Sequence, residues 1–271
     1  LSCAKRTTNL ASVNKTQLSE FPVLVPPLPE QRKIAQILRT WNEAIAAAEQ
    51  LVAALQRRKK GLMQRLLTGQ VWFPEFHDAP REEVELGAHL TPVLRTEQVE
   101  AGKEYQLIGV RWYLAGAHIH DVVLGDKIVT HALSRVEEND ILYNKMWVSK
   151  AAFAVAKKEH AGAHGSGEYP QFIVGDGIDV RFIEYAFHDP RFLHDAKALC
   201  RGTTGRIRLH PDDFLRLRMR LPSRSEQGKI AEVLQVADQE IDTLKQYLDG
   251  LLSQKKGLMQ RLLTGQVRVQ V

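Results

Sequence analysis

Two stretches of the chain carry an apolar residue at every seventh position, with a second apolar row four positions later. In the first stretch the rows are formed by Ile34, Trp41, Ala48, Leu55 and Leu62 and by Leu38, Ile45, Val52 and Leu66. In the second stretch they are formed by Ile230, Ala237, Leu244, Leu251 and Leu258 and by Leu234, Ile241, Leu248 and Leu262. Such spacing gathers apolar side chains into a narrow stripe on one side of an α-helix. The pattern predicts two long helices, with Gly69 and Gly265 as their terminators.

The two stretches are copies of one sequence, separated by a constant offset. Residues 59–71 and 255–267 both read KKGLMQRLLTGQV, and 23 of the 46 positions of 26–71 are identical in 222–267. The offset of 196 residues (255 minus 59) is far longer than the roughly 20–50 residues of a solenoid repeat. We infer a duplicated unit made of one globular segment and one long helix.

The same offset extends the repeat upstream of the first helix. Thr7 and Thr8 align with Thr203 and Thr204, and the chain begins with Leu rather than Met. Residues 1–25 are therefore predicted to be the tail of an earlier, similar domain, in a sequence that is incomplete at its N-terminus.

The narrow apolar stripe favours a helical partner over a broad core. Roughly 40 residues at about 1.5 Å each give a helix about 60 Å long. We predict that the helices of 26–71 and 222–271 pair within the chain as an antiparallel coiled coil. The alternative is that each helix packs on its own globular neighbour. Pro29 suits a first helical position, and Ser225 can cap the second helix.

The segment between the helices, residues 72–221, has short apolar runs bounded by turn residues, which is the pattern of β-strands. The predicted strands are 105–110, 126–133, 140–144, 151–156, 171–175 and 216–221. Residues 181–200 have a helical pattern that Pro190 breaks. The predicted fold class is therefore α+β, with a mixed α/β domain flanked by two long helices.

Composition narrows the functional classes only a little. The net charge is +5 and the pI about 9.2, a mildly basic balance that permits a nucleic-acid partner without establishing one. Cys3 and Cys200 are the two cysteines, too few for a disulfide framework, so we expect a reducing, cytoplasmic location. No apolar run approaches the roughly 20 residues that cross a bilayer, and we expect no membrane contact.

The sequence lacks the motifs of the common catalytic sites. It has no G-x-x-x-x-G-K-[ST], no G-x-G-x-x-G after a strand, no G-x-S-x-G and no Asn-Pro-Pro-aromatic tetrad. His118 and His120 could share a strand face, and His160 and His164 are four apart, but neither pair has the Cys or carboxylate companions of a zinc site. We expect no catalysis, no metal and no cofactor.

Basic and polar side chains in four segments of 72–221 are candidates for contact with DNA. They are Arg111, Asn144, Lys145, Lys150, Arg201, Thr203, Thr204, Arg206, Arg208, Arg216 and Arg218. Arg111, Asn144 and Lys145 suit base edges and Lys150 a phosphate, whereas the neighbouring Trp112 and Trp147 are interpreted as core anchors.

The other two segments have equally simple structural interpretations. Residues 201–206 join glycines, which allow close backbone approach, to threonine hydroxyls and guanidinium groups, but a turn shared by both repeats explains them equally well. Arg216, Arg218 and Arg220 alternate with apolar residues and would line one face of a strand, following phosphates or simply facing solvent.

The signature PPLPEQRKIAQIL, the long helix and KKGLMQRLLTGQV resemble the conserved regions of type I restriction-modification specificity subunits. Within the intervening domain, residues 125–155 and 201–227 resemble a target recognition domain. The resemblance covers nearly the whole chain and is strongest over 26–71 and 222–267. This sequence departs from the family in having one complete recognition domain, and in PSRSEQ replacing PPLPEQ at the second copy.

The resemblance implies a non-catalytic subunit that recognises double-stranded DNA. Two recognition domains at opposite ends of a paired-helix spacer would each read half of a split site. The spacer would dock methyltransferase subunits, with motor-nuclease subunits joining later, and self-pairing of two chains could supply the second domain. Two other classes stay open, namely a coiled-coil scaffold that binds only protein and a stand-alone nuclease.

Overall fold

The repeated apolar stripe gives two helices of equal length. The computed structural model describes residues 5–7, 10–12, 14–19, 24–203 and 207–270. Its helices are α1 (Lys15–Ser19), α2 (Leu28–Leu67), α3 (Val180–Ala186), α4 (Pro190–Ala198), α5 (Pro211–Leu215) and α6 (Arg224–Leu263). The two long helices, α2 and α6, have 40 residues each. The break predicted at Pro190 is confirmed, because Pro190 opens α4 and the Asp189 carboxylate caps it.

The chain divides into two compact units, and α2 and α6 each contribute to both. One unit comprises Leu1–Arg57 and Gln239–Val271, and the other Arg58–Asp238. All the stripe positions named above are buried or half-buried, whereas Leu51 and Tyr247, which lie off the stripe, are exposed. The heptad interpretation of both helices is confirmed.

Ion pairs show that the two helices run in opposite directions. Within the second unit, Lys59 of α2 pairs with Asp238 of α6. Within the first unit, Glu30 at the start of α2 binds Arg268, just beyond the end of α6, at 2.7 and 2.8 Å. Because residue numbers rise along α2 as their partners' numbers fall, the predicted antiparallel pairing is confirmed.

The sequence signals hold at the C-terminal ends of both long helices but not at their first residues, since α2 begins at Leu28 and Pro29 is its second residue. Gly69 and Gly265 adopt left-handed conformations with φ of 73° and 72°, as terminators of this kind require. The hydroxyl of Ser223 accepts a hydrogen bond from the Glu226 amide at 3.3 Å, so Ser223 caps α6. The prediction of Ser225 as the cap is wrong, because the helix begins at Arg224 and Ser225 therefore lies inside it.

Thirteen strands are distributed among four small sheets in the described part of the chain. They are β1 (Lys5–Thr7), β2 (Leu10–Ser12), β3 (Glu82–Glu85), β4 (Leu90–Val93), β5 (Thr96–Gln98), β6 (Glu104–Val110), β7 (Ala117–Leu124), β8 (Ala132–Arg135), β9 (Ile141–Tyr143), β10 (Phe153–Val155), β11 (His164–Gly165), β12 (Gln171–Val174) and β13 (Arg218–Leu221). The strand orders are β1-β2, β10-β9-β12-β4, β5-β8-β11-β6-β7 and β13-β3. All pairs are antiparallel except β11 with β6. The α+β class is confirmed.

Two of the predicted strands have other boundaries. Residues 126–133 form one helical turn, Gly125–Lys127, followed by a loop, and β8 begins only at Ala132. The chain between Pro211 and Leu215 is helical, so a strand cannot begin at 216 and starts at Arg218 instead. Strands β3, β4, β5 and β7 were not predicted, because their residues are largely polar or exposed and give no apolar run.

Aromatic rings form the centre of the core of the second unit. Tyr143 lies 4.7 Å from Phe214 and 5.7 Å from Phe153 between ring centres, and its hydroxyl donates to the Leu209 carbonyl. Burial raises the pKa of the Tyr143 hydroxyl. The same core takes in residues from the end of α2 and the start of α6. These are Met63, Leu66, Leu67, Ile230, Ala231 and Leu234. The mixed domain and the adjoining turns of both helices therefore fold as one packed body.

Candidate nucleic-acid interface

A turn at the end of β6 presents aromatic side chains to solvent. Trp112 is 44% exposed and Tyr113 69%, and Trp147 from a second loop packs on Trp112 with ring centres 5.0 Å apart. The Lys150 ammonium lies 6.0 Å from the Trp112 ring centre and 5.9 Å from that of Tyr113. We call these four residues the aromatic patch. The interpretation of the two tryptophans as core anchors is wrong, because both rings pack on each other at the surface.

The backbone of this turn is unusual. Tyr113 and Leu114 both have φ of 58°, and Ala151, beside them, has φ of 51°. Each such conformation costs on the order of 1–3 kcal/mol for a non-glycine residue and persists only where the surroundings enforce it. Two hydrogen bonds enforce it here, from the Tyr113 amide to the Lys150 carbonyl at 2.7 Å and from the Leu114 amide to the Ala151 carbonyl at 3.0 Å. The turn is therefore rigid and strained.

Arg111 and Asn144 flank the aromatic patch, and their side chains differ in exposure. Arg111 is exposed, and its guanidinium donates to the Ala117 carbonyl at 3.3 Å. Asn144 is buried, and its Oδ1 accepts from the Met146 amide at 3.0 Å, which shapes the turn leading to Trp147. The contact with DNA predicted for each stays a prediction, but the side-chain oxygen of Asn144 is already engaged within the fold.

Lys145 is joined through its backbone to two neighbouring segments. Its amide donates to the Glu168 carbonyl and its carbonyl accepts from the Leu209 amide, both at 3.1 Å. Glu168 in turn holds the Arg208 guanidinium with two hydrogen bonds of 3.2 Å. The structure thus brings Lys145 and Arg208 together, 63 positions apart in sequence (208 minus 145).

The backbones of Arg201 and Arg208 form an antiparallel β-bridge. Gly202 has φ of 141° and Thr203 is exposed. The Arg201 guanidinium donates to the Asp213 carboxylate, with its Nε at 2.9 Å. The other two candidates of this segment, Thr204 and Arg206, lie outside the described residues.

The arginines near β13 each lie beside a carboxylate. Arg216 follows α5 and lies 3.7 Å from Asp213, the same carboxylate that binds Arg201. Arg218 lies on β13, with its guanidinium 3.6 Å from Glu85 of β3. A single strand face carrying Arg216 and Arg218 does not form, because Arg216 is not on the strand.

Two histidines near Arg111, His118 and His160, have lowered pKa values. Burial, and next the positive charge of Arg111, lower the pKa of His118 below its ordinary 6.5. Burial also lowers the pKa of His160. Both imidazoles are therefore neutral at pH 7, and the basic character of the region comes from its lysines and arginines.

Within the described residues, no three His, Cys, Asp or Glu side chains gather as they would around a metal ion. Among those residues, too, no helix has the length and apolar content needed to span a bilayer.

Comparison with known proteins gives one consistent family. A family model described as type I restriction modification DNA specificity domain matches residues 2–57. Two specificity subunits of Methanocaldococcus jannaschii type I restriction enzymes are similar along nearly the whole chain. MjaX is 26% identical over 98% of this chain, and MjaVIII is 23% identical over 97%. The chain spans 64% of the length of the MjaX subunit and 66% of MjaVIII.

Solved structures show the same fold. The S subunit of a type I restriction-modification system from M. genitalium aligns over 97% of this chain with a TM-score of 0.56 and 16% identity, and the alignment covers 68% of that chain. A chain from a study of complex assembly and conformational transition in the type I system aligns over 94%, with a TM-score of 0.58 and 15% identity, covering 64% of that chain. The resemblance to type I specificity subunits inferred from the sequence is confirmed.

Proposed function

We propose that this chain supplies DNA sequence recognition to a type I restriction-modification complex and carries no catalysis itself. In this proposal residues 72–221 are the target recognition domain, and the helices of 26–71 and 222–271 are the spacer. The assignment of 1–25 to an earlier recognition domain stays a prediction. The observation that carries the proposal is the antiparallel α2–α6 pair, whose adjoining turns share one core with a domain bearing an exposed aromatic and basic surface.

The mixed domain has the surface chemistry that duplex recognition needs. Lysines and arginines bind phosphates, while side chains on rigid turns reach base edges. Lys145, Lys150 and Arg111 lie on the loops that carry the aromatic patch. Arg201 and Arg208 are already bound to carboxylates, so their contribution would require exchange of one partner for a phosphate.

The spacer helices are the proposed docking surface for methyltransferase subunits, with motor-nuclease subunits joining the assembled complex. The paired helices leave apolar side chains exposed outside their seam, among them Leu51, Val236 and Tyr247. A split DNA site needs a second recognition domain, which either another part of the polypeptide or a second copy of the chain would supply.

The experiment is co-expression of the chain with the methyltransferase subunit encoded beside it, followed by methylation of genomic DNA with S-adenosylmethionine and mapping of the methylated bases. We expect a stable complex and methylation at one split motif. Exchange of residues 72–221 for the corresponding domain of a relative should change one half of that motif and leave the other half unchanged.

Other results would favour other functions. A stable complex whose methylation does not respond to the exchange would leave the chain a scaffold. Cleavage or methyl transfer by the purified chain alone would make it an enzyme. Light scattering of the purified complex gives the number of copies of the chain that it contains. Two copies would mean that the second recognition domain comes from a second chain.

A further inference from the structure

We propose that Tyr113 is a specificity-determining residue whose ring wedges against a base step of the bound duplex, a role that rests on the recognition function proposed above. The side chain is 69% exposed at the tip of the aromatic patch. Its neighbour Leu114 is half-buried and packs against the domain core. Leu114 thereby anchors the turn, and Tyr113 is presented to solvent.

The conformation of the turn favours a binding role. Three of the four non-glycine residues with positive φ in the described part of the chain, Tyr113, Leu114 and Ala151, meet here. The Tyr113 ring meets the Trp112 ring edge-on, with centres 6.5 Å apart, and remains 69% exposed, so its own packing offsets little of this strain. Strained, over-determined backbone is typical of sites where a side chain must be held ready for a ligand. A fixed turn also loses little conformational entropy when it binds.

Charge favours duplex DNA as the occupant over another protein. Exposed Trp and Tyr are common at protein interfaces too, but here the Lys150 ammonium lies beside both rings of the turn. Two carboxylates on the adjoining segments, Glu168 and Asp213, are taken up by Arg208 and Arg201. An aromatic wedge with an adjacent cation matches a base step and its phosphate.

The proposed wedge predicts which base steps the recognition domain prefers. Pyrimidine–purine steps unstack at the least cost, so a ring that opens a step selects for them without a hydrogen bond to either base. The half-site read by residues 72–221 should therefore contain a TA or CA/TG step, and Tyr113 should impose that preference.

The test uses the complex of the full chain with its methyltransferase subunit and a duplex carrying the motif mapped for the wild type. Tyr113→Ala should lower the methylation rate at subsaturating duplex by about ten-fold and relax the preference at one step, whereas Tyr113→Phe should retain both. Val129→Ala is the control, because Val129 is 96% exposed in the loop before β8 and lies outside both the aromatic patch and the spacer helices. Thermal unfolding and co-elution with the methyltransferase subunit check that each variant folds and assembles.

A measurement on the wild type does not depend on any variant. Substituting 2-aminopurine at successive positions of the mapped half-site should give a fluorescence increase at one step when the complex binds. Unchanged methylation by Tyr113→Ala, or an unresponsive probe at every step, would overturn the wedge. Loss of co-elution would instead assign the patch to the protein interface. If the wild-type complex methylates no defined motif, the recognition function itself fails and this inference with it.

Discussion

At the residue scale, the same glutamate of each repeat is held by an arginine from beyond the other helix. Glu226 is fully buried and lies 2.5 Å from Arg81, whose side chain is 7% exposed. Arg81 also donates to the Leu66 carbonyl at 2.8 Å, near the end of α2. The equivalent Glu30 binds Arg268, whose side chain is 68% exposed. The same glutamate–arginine ion pair therefore occurs in both copies of the repeat, with a buried arginine at Glu226 and an exposed arginine at Glu30.

Removal of Arg81 should be far more damaging than removal of Arg268. Arg81→Met leaves the Glu226 carboxylate buried without its partner, which costs about 3–5 kcal/mol. Arg268→Met should cost less, because the Arg268 side chain is 68% exposed and its removal opens the Glu30 carboxylate, itself 5% exposed, to water. Urea unfolding at pH 7 measures both. A double change, Arg81→Met with Glu226→Met, should recover part of the loss, and equal effects of the two single arginine variants would contradict this account.

A second prediction concerns Glu97, on β5. A hydrogen bond from His164, and next one from Lys103, lower the pKa of the Glu97 carboxyl from 4.5 to about 2. A folded-state pKa below the unfolded value stabilises the fold above pH 4.5, and the contribution is lost as the pH falls toward 2.

Glu97→Gln should therefore be less stable than the wild type at pH 7, and the difference should shrink below pH 4.5 and vanish near pH 2. Urea unfolding over this pH range measures it, with Glu138→Gln as a control at an exposed position of the same unit. A difference that stays constant with pH would show that the carboxylate charge is not responsible.

At the element scale, the repeated segment KKGLMQRLLTGQV places one glycine inside each long helix and another just after its end. Gly61 lies within α2, where an added Cβ would meet nothing within 4 Å. Gly69 has φ of 73° after the end of α2, and an added Cβ would lie 3.2 Å from the Arg81 guanidinium. The same residue type is therefore dispensable at one position and required at the other.

Alanine should have opposite effects at these two positions. Gly61→Ala should stabilise the fold by about 0.5–1 kcal/mol, since it removes the entropic cost of a mid-helix glycine. Gly69→Ala should destabilise it by about 1–2 kcal/mol, because a Cβ disfavours the left-handed conformation. The unfolding temperatures of the two variants, compared with that of the wild type, test both expectations. Stabilisation by Gly69→Ala would mean that the left-handed conformation at the helix end is not required.

At the scale of the whole molecule, binding to DNA should depend on salt through the lysines that remain free of carboxylates. Lys150 contacts aromatic rings, whereas Arg218 has the Glu85 carboxylate 3.6 Å away. Each phosphate contact contributes about 0.9 to the slope of log affinity against log salt concentration.

Lys150→Ala should therefore reduce that slope by about 0.9 in the complex with its methyltransferase subunit and a duplex carrying the mapped motif. Arg218→Ala should change it less, and Lys245→Ala on α6 serves as a control, since that lysine lies 3.4 Å from Asp242. Fluorescence anisotropy at several salt concentrations gives the slopes. An unchanged slope in Lys150→Ala would remove Lys150 from the phosphate contacts.

The sequence by itself determined the features that depend on local spacing. The period of seven fixed which side chains of α2 and α6 are buried, because a helix repeats its faces every 3.6 residues. Gly69 and Gly265 fixed the helix ends through their backbone freedom. Pro190 fixed the break before α4. The repeat and its motifs also carried the resemblance to specificity subunits.

Only the tertiary structure decided what surrounds each candidate side chain. Trp112 reached the surface because Trp147, 35 positions later (147 minus 112), packs on it there. Arg201 is bound by Asp213 and Arg208 by Glu168, partners that no local pattern identifies. The left-handed turn at Tyr113 exists because the carbonyls of Lys150 and Ala151 hold it. Burial, pairing and strain arise from contacts between distant segments, and periodicity along the chain carries no information about them.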